Sequence, residues 1–145
     1  MSHAIRIHAT GGPDVLRWEE VGDGGTALQP GEARVRHAAV GLNFIDVYHR
    51  TGLYPLPALP ASIGMEAAGI VVDIGKDVTE VKIGDRVAYA MGTPGSYSEM
   101  RAMNADRLVV LPDGITEQAA AAMMLQGMTA QYLLRSVYRV QPGDT

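Results

Sequence analysis

The run Ala67-Ala-Gly-Ile-Val-Val-Asp-Ile74 is followed, through the turn Lys82-Ile-Gly-Asp85, by Arg86-Val-Ala-Tyr-Ala-Met91. Both runs are short, carry valine and isoleucine, and are bounded by glycine-bearing turns, the signature of strands rather than helices. Working outward, the same pattern marks Ala4–Ala9, Leu16–Val21, Ala33–Gly41, Ser96–Ala102 and Arg107–Leu111. Between them, Gly11-Gly-Pro13 reads as a turn, and Asp23-Gly-Gly25 with Gln29-Pro-Gly31 reads as a loop. Short strands punctuated this densely predict a mainly β architecture, a closed or partly closed barrel.

Two segments depart from the β pattern. Asn43–Arg50 places Phe44, Val47 and Tyr48 at helical spacing and predicts a short helix with Asn43 near its start. From Thr116 the composition turns to alanine, methionine and leucine, which predicts two helices, Thr116–Leu125 and Thr129–Val140, interrupted near Gly127. Thr116 is the expected N-cap, and Gln141-Pro-Gly-Asp144 stops the second helix.

The chain has 145 residues, room for one ordinary domain with a substantial core. With 12 Lys+Arg against 16 Asp+Glu the net charge is −4, and no basic run exceeds the arginines at 34 and 36, so nucleic acid is not an expected partner. The longest apolar run is Ala119–Leu125, far short of the roughly 20 residues of a membrane span. The opening Met1-Ser-His-Ala-Ile-Arg6 lacks the build of a secretory signal, which makes a cytoplasmic location the expectation. The absence of cysteine excludes disulfides, thiolate nucleophiles and Cys-bearing zinc sites within these residues.

Most chemical motifs have no support. His3, His8, His37 and His49 lack metal-ligand spacing and read as surface or hydrogen-bonded loop residues. Gly95-Ser-Tyr-Ser98 lacks the second glycine of a nucleophile elbow, and Glu19-Glu20 reads as a strand edge facing water. Gly92-Thr-Pro-Gly-Ser96 and Gly22-Asp-Gly-Gly25 are not followed by helices and read as turns rather than phosphate loops. What remains is a polar cluster on and after the short helix: Asn43, Asp46, Tyr48, His49 and Tyr54. From spacing alone two readings stand. Asn43 and Tyr48 line a pocket as donors to a carbonyl or a ribose hydroxyl, or Asn43 caps the helix and Tyr48 packs on the barrel.

The sequence Val40-Gly-Leu-Asn-Phe-Ile-Asp-Val-Tyr-His-Arg-Thr-Gly-Leu-Tyr-Pro55, with Gly64-Met-Glu-Ala-Ala-Gly-Ile-Val71 and Val81-Lys-Ile-Gly-Asp-Arg-Val-Ala88, resembles the N-terminal half of medium-chain dehydrogenases/reductases. Gly95-Ser-Tyr-Ser-Glu99, Leu111-Pro-Asp-Gly-Ile-Thr116 and Gln126-Gly-Met-Thr-Ala-Gln-Tyr-Leu-Leu134 extend the likeness over essentially the whole chain, in order. The nearest branch is the zinc-free NADPH:quinone oxidoreductases of the zeta-crystallin type. Zinc alcohol dehydrogenases of the same superfamily carry cysteine and histidine ligands where this chain has Asn43 and Met65, and neither an amide nor a thioether is a credible Zn²⁺ ligand there. The resemblance thus implies hydride transfer from NADPH to quinones or related conjugated carbonyls, with no zinc. It implies Asn43 and Tyr48 as catalytic, the same two with Thr129 at the nicotinamide, and Asp46, Tyr54 and Met65 at the substrate cleft. Thr129 is expected at the start of the last helix.

The resemblance also implies a GroES-like substrate domain over residues 1–115 and connecting helices over 116–145. These helices would lead toward a Rossmann domain beyond Thr145, in a homodimeric parent of about twice this length. Two rivals carry different expectations: an NADPH-dependent alkenal or enoyl reductase using Tyr48 as donor, and a free-standing GroES-like binding module without activity. The 145-residue chain alone is expected to be inactive.

Overall fold

The computed structural model describes residues 1–22 and 27–144. The predicted loop at Asp23-Gly-Gly25 and the core of the Gly22–Gly25 motif lie outside the described residues. Among the described residues eight strands and two α-helices follow in order: β1 His3–Ile7, β2 Leu16–Glu20, β3 Glu32–Gly41, α1 Phe44–Thr51, β4 Ala61–Ser62, β5 Glu66–Ile74, β6 Arg86–Ala90, β7 Met100–Asn104, β8 Val109–Val110 and α2 Glu117–Tyr132. They form a three-stranded sheet, β2-β1-β4, and a five-stranded sheet, β7-β3-β5-β6-β8. The paired strands are antiparallel throughout. An isolated bridge pairs Ala4 of β1 with Ser98, in the segment that leads into β7 of the larger sheet, so the barrel is partly closed. None of the described helices is long and apolar enough to cross a membrane.

Period-two alternation explains why the central strands read as nearly unbroken apolar runs. Ala67 and Val71 of β5, with Val87 and Tyr89 of β6 and Ala33 and Val35 of β3, point into the main core with Met103 and Leu108. On β5 and β6 the residues of opposite parity, Ala68 and Ala88, face the other way and pack under Ala120 and Ala121 of α2, with Leu111. A strand covered on both faces has no position left for a polar residue to meet water. Small side chains at 68, 88, 120 and 121 let the helix lie close to the sheet.

Several sequence expectations shift. The predicted strand Ser96–Ala102 begins only at Met100, because residues 95–98 turn tightly: Gly95 has φ +143° and Ser98 N–H donates to the Ser96 carbonyl at 2.8 Å. Of the predicted strand Arg107–Leu111 only Val109–Val110 forms a strand, β8, and Arg107 instead ends a 3-10 turn, Ala105–Arg107. The two-residue β4 was not foreseen, being too short to carry a pattern. Most consequentially, the two predicted C-terminal helices are one. α2 runs unbroken through Gly127 and widens into a π-helical turn at Leu133–Val137. A glycine costs a helix about 1 kcal/mol relative to alanine, too little to break one flanked on both sides by alanine, methionine and leucine. Thr129 therefore sits in the interior of a helix, not at the start of one.

The start of α2 is fixed as the sequence suggests. Thr116 Oγ accepts the Ala119 N–H at 3.2 Å, and Glu117 Oε1 accepts from Arg86 Nε at 2.7 Å. Further along, α2 crosses the end of β3 at Gly41, where any side chain would collide with the Ala121 carbonyl oxygen and with the Glu66 side chain. Gly41→Ala is accordingly expected to destabilise the fold by about 1–3 kcal/mol, read as a lowered urea midpoint with an unchanged m-value.

Candidate functional site

β3 ends at Gly41 and hands the chain to α1 through Leu42 and Asn43. Asn43 is extended (φ −131°, ψ 154°), as an N-cap must be, and Asn43 and Asp46 form a capping box around the first helical turn. The Asp46 carboxylate accepts the Asn43 N–H at 2.9 Å and the Tyr97 hydroxyl at 2.8 Å, both on Oδ2. Its Oδ1 is buried with no hydrogen-bond partner. The helix ends at Gly52, whose φ of 84° is the left-handed cap that glycine supplies without strain.

Glu66 completes the buried polar cluster. It stands on β5 opposite Gly41 and is fully buried, 0% exposed. Asn43 Nδ2 donates to its Oε1 at 2.7 Å, and the Leu125 N–H of α2 donates to its Oε2 at 2.7 Å. A carboxylate can only accept, which fixes the Asn43 amide with its nitrogen toward Glu66. One of the amide hydrogens that the sequence reading assigned to a ligand is thus already committed. Thr129, one turn on, donates its Oγ hydrogen to the Leu125 carbonyl at 2.8 Å and is exposed.

The aromatic side chains gather on the outer face of α1. Tyr48 is half-buried and touches Phe44 with ring centroids 6.1 Å apart and Tyr54 edge-on at 5.2 Å. His49 also meets Tyr54, at 6.4 Å, and its buried Nδ1 has no partner. Phe44 and Leu42 are each 77% exposed, so this corner presents apolar surface beside the buried polar cluster. Met65 is buried, and its carbonyl accepts the Met91 N–H at 2.9 Å.

The structure therefore brings Asn43 and Asp46 into one hydrogen-bonded turn, sets Tyr48 against Tyr54, and ties Asn43 to the segment carrying Thr129. The sequence reading missed Glu66 and Tyr97 as members of this cluster. Glu66 did carry a signal: it is the one charged residue in Ile63–Val72, a run otherwise of apolar residues and glycine. Burial and the neighbouring Asp46 and Glu66 carboxylates push the Tyr97 hydroxyl well above its usual range, so it stays protonated and donates.

Two grooves flank the cluster. One, of about 480 Å³, is lined by Ile5, Trp18, His37, Val40, Leu42 and Tyr97 among others. The other, of about 650 Å³, runs along α2 and includes Met91, Met124, Met128, Thr129 and Tyr132. In the wall of the first, His37 Nδ1 lies 2.6 Å from the Ser98 carbonyl and so must donate; its Nε2 then accepts the Tyr89 hydroxyl at 2.9 Å. The Arg101 guanidinium lies 5.5 Å from the Tyr89 ring centre.

With this geometry in place, the chain can be set beside known proteins. The sequence profile of the alcohol dehydrogenase GroES-like domain matches residues 29–113. The chain belongs to the GroES-like domain family of alcohol dehydrogenases. Within it, the quinone oxidoreductase of Pseudomonas aeruginosa is 50% identical over 147 aligned positions, covering 100% of this chain and 44% of that protein. A 2-haloacrylate reductase from Burkholderia is 41% identical, covering 99% of this chain and 44% of its own length. Among solved structures, Escherichia coli quinone oxidoreductase complexed with NADPH superposes with a TM-score of 0.94 at 43% identity, covering 98% of this chain and 43% of that one. The chain thus spans less than half the length of these relatives.

The half-buried imidazole of His37 makes the stability of this GroES-like domain depend on pH. Burial, and secondarily the Arg101 charge, hold His37 below its ordinary pKa, against the opposing pull of the Ser98 carbonyl. The unfolded chain then takes up the proton first, near pH 6.5. Stability is expected to be insensitive to His37 above that pH and to fall as the pH drops below it, by at most about 1.4 kcal/mol per pH unit. Urea unfolding between pH 7.5 and 5.5 checks this, with a shallower slope expected for His37→Gln.

Proposed function

We propose that this chain is the N-terminal, substrate-side part of an NADPH-dependent quinone oxidoreductase that works without a catalytic zinc. Residues 1–115 form its GroES-like substrate domain, and residues 116–145 lead toward a nucleotide-binding domain. The observation that carries the reading is the donor set at Asn43 and Met65. In metal-dependent relatives these positions hold zinc ligands, whereas here one is an amide already donating to Glu66 and the other a thioether buried in the protein. Neither fits Zn²⁺. The quinone oxidoreductase relatives, one of them solved with NADPH, support the same reading. So does the C-terminal half of α2 and the turn after it, where Tyr132, Val137 and Tyr138 are 59–61% exposed along an apolar surface suited to a following domain.

In this reading Asn43, Tyr48 and Thr129 face the nicotinamide, and Asp46, Tyr54 and Met65 shape the substrate side. Bound NADPH supplies the hydride. The protein's own work is to orient and to manage a proton. Hydride addition to a quinone leaves an oxyanion, and in this reading the Tyr48 hydroxyl gives it a proton and is reprotonated from solvent. Asp46, spent on the helix cap and on Tyr97, orients neighbours rather than reacts. The apolar side chains of Phe44, Tyr54 and Leu42 suit a flat, conjugated substrate. A second reading, reduction of an activated alkene, is favoured by the likeness to the 2-haloacrylate reductase.

The reading frame continued past the Thr145 codon is expected to encode a glycine-rich strand–turn–helix. The resulting protein is expected to oxidise NADPH with benzoquinones faster than with 2-alkenals, the reverse order favouring the alkene reading. Tyr48→Phe should lower kcat/KM by about 100-fold. NADPH turnover by the 145-residue chain alone, or a stop codon directly after Thr145, would overturn the proposal.

A further inference from the structure

Asn43 and Thr129, the cap of one helix and the interior of another, are joined by an unbroken series of hydrogen bonds. Asn43 Nδ2 donates to Glu66 Oε1 at 2.7 Å, Leu125 N–H donates to Glu66 Oε2 at 2.7 Å, and Thr129 Oγ donates to the Leu125 carbonyl at 2.8 Å. The hub is fully buried on β5, the central strand of the larger sheet. The pairing also explains why the hub is a carboxylate. Both neighbours are donors, and only a side chain that accepts on each of two oxygens serves both; glutamine would set an N–H against an N–H on one side. Gly41, opposite Glu66 in the register, leaves the room that the carboxylate and the Ala121 carbonyl occupy.

We propose that Glu66 is a positioning residue for hydride transfer: one carboxylate oxygen fixes the Asn43 amide, and the other fixes the turn of α2 that carries Thr129. The two groups are thereby held at a set spacing although they belong to different elements. This inference rests on the NADPH reading above. Its distinguishing consequence is selective, because a loosened Glu66 misplaces Asn43 and Thr129, two of the three groups read as facing the cofactor, while leaving Tyr48 and Tyr54 in their own aromatic contact.

The test uses the protein expressed from its complete reading frame, with benzoquinone as substrate. Glu66→Gln is expected to raise KM for NADPH about tenfold while KM for the quinone stays within about twofold. In an Asn43→Ala background the same substitution should change KM for NADPH much less, since one of the walls it holds has gone. Glu117→Gln serves as the structural comparison: it breaks the Arg86 pair at the start of α2, touches neither Asn43 nor Leu125, and should lower Tm without moving either KM. If Glu66→Gln does not fold, Glu66→Asp carries the test, with both acceptors kept but set back by one methylene, and the same selective rise in KM for NADPH is expected. An active wild-type protein whose folded Glu66 variants keep both KM values, or lose activity only in step with Tm as Glu117→Gln does, overturns this proposal alone. A wild-type protein without NADPH-dependent quinone reduction overturns the functional reading, and this inference with it.

Discussion

Taking a carboxylate fully out of water costs several kcal/mol even after the protein relaxes around it, and at Glu66 that cost is offset only when two N–H donors arrive from two different helices. The strand that carries Glu66, the helix cap at Asn43 and the middle of α2 must therefore be in place together. Gly41 belongs to the same constraint from the other side, since the space beside Glu66 exists only where β3 has no side chain. Three stretches distant in sequence, the β3–α1 junction, β5 and α2, are locked by one buried group, and the candidate site is built directly on that lock.

A sheet covered on both faces makes this arrangement possible. The main core lies on one side, under Val35, Val71, Val87 and Tyr89, while the other side receives α2 on a floor of alanines. Glu66 has the same strand parity as Ala68, so it faces the helix rather than the main core. Once α2 has passed Ala121, none of its residues is fully buried: Met124 and Leu125 are half-buried, Met124 against the alanine floor, while Met123, Met128 and Tyr132 lie open. The helix is thus anchored to this domain by its first half and presents its second half outward.

The capping and pocket readings of Asn43 need not compete in three dimensions. Its main chain opens α1 while its side chain reaches across to Glu66, so the cap orients the amide as well as the helix. Asp46 has the same dual character, closing the capping box and receiving the Tyr97 hydroxyl. A short helix whose first turn is this tightly bound gives Tyr48, one turn later, a rigid base.

Much of the architecture was legible beforehand because it depends on local chemistry. Valine- and isoleucine-rich runs between glycine turns can pack well only as strands, and an asparagine followed three residues on by an aspartate can close a first helical turn. The absence of thiolate ligands needed no structure at all. Gly127 misled, because local propensity names a breaker without weighing the helix formers on both sides of it. What the tertiary structure alone decided was the company each polar residue keeps. Glu66 looked like one acid at the edge of an apolar strand, and Tyr97 like a residue of the strand Ser96–Ala102. Their partners lie 59 and 51 residues away in the sequence, and a buried group's role is set by what surrounds it in space, which no local pattern encodes.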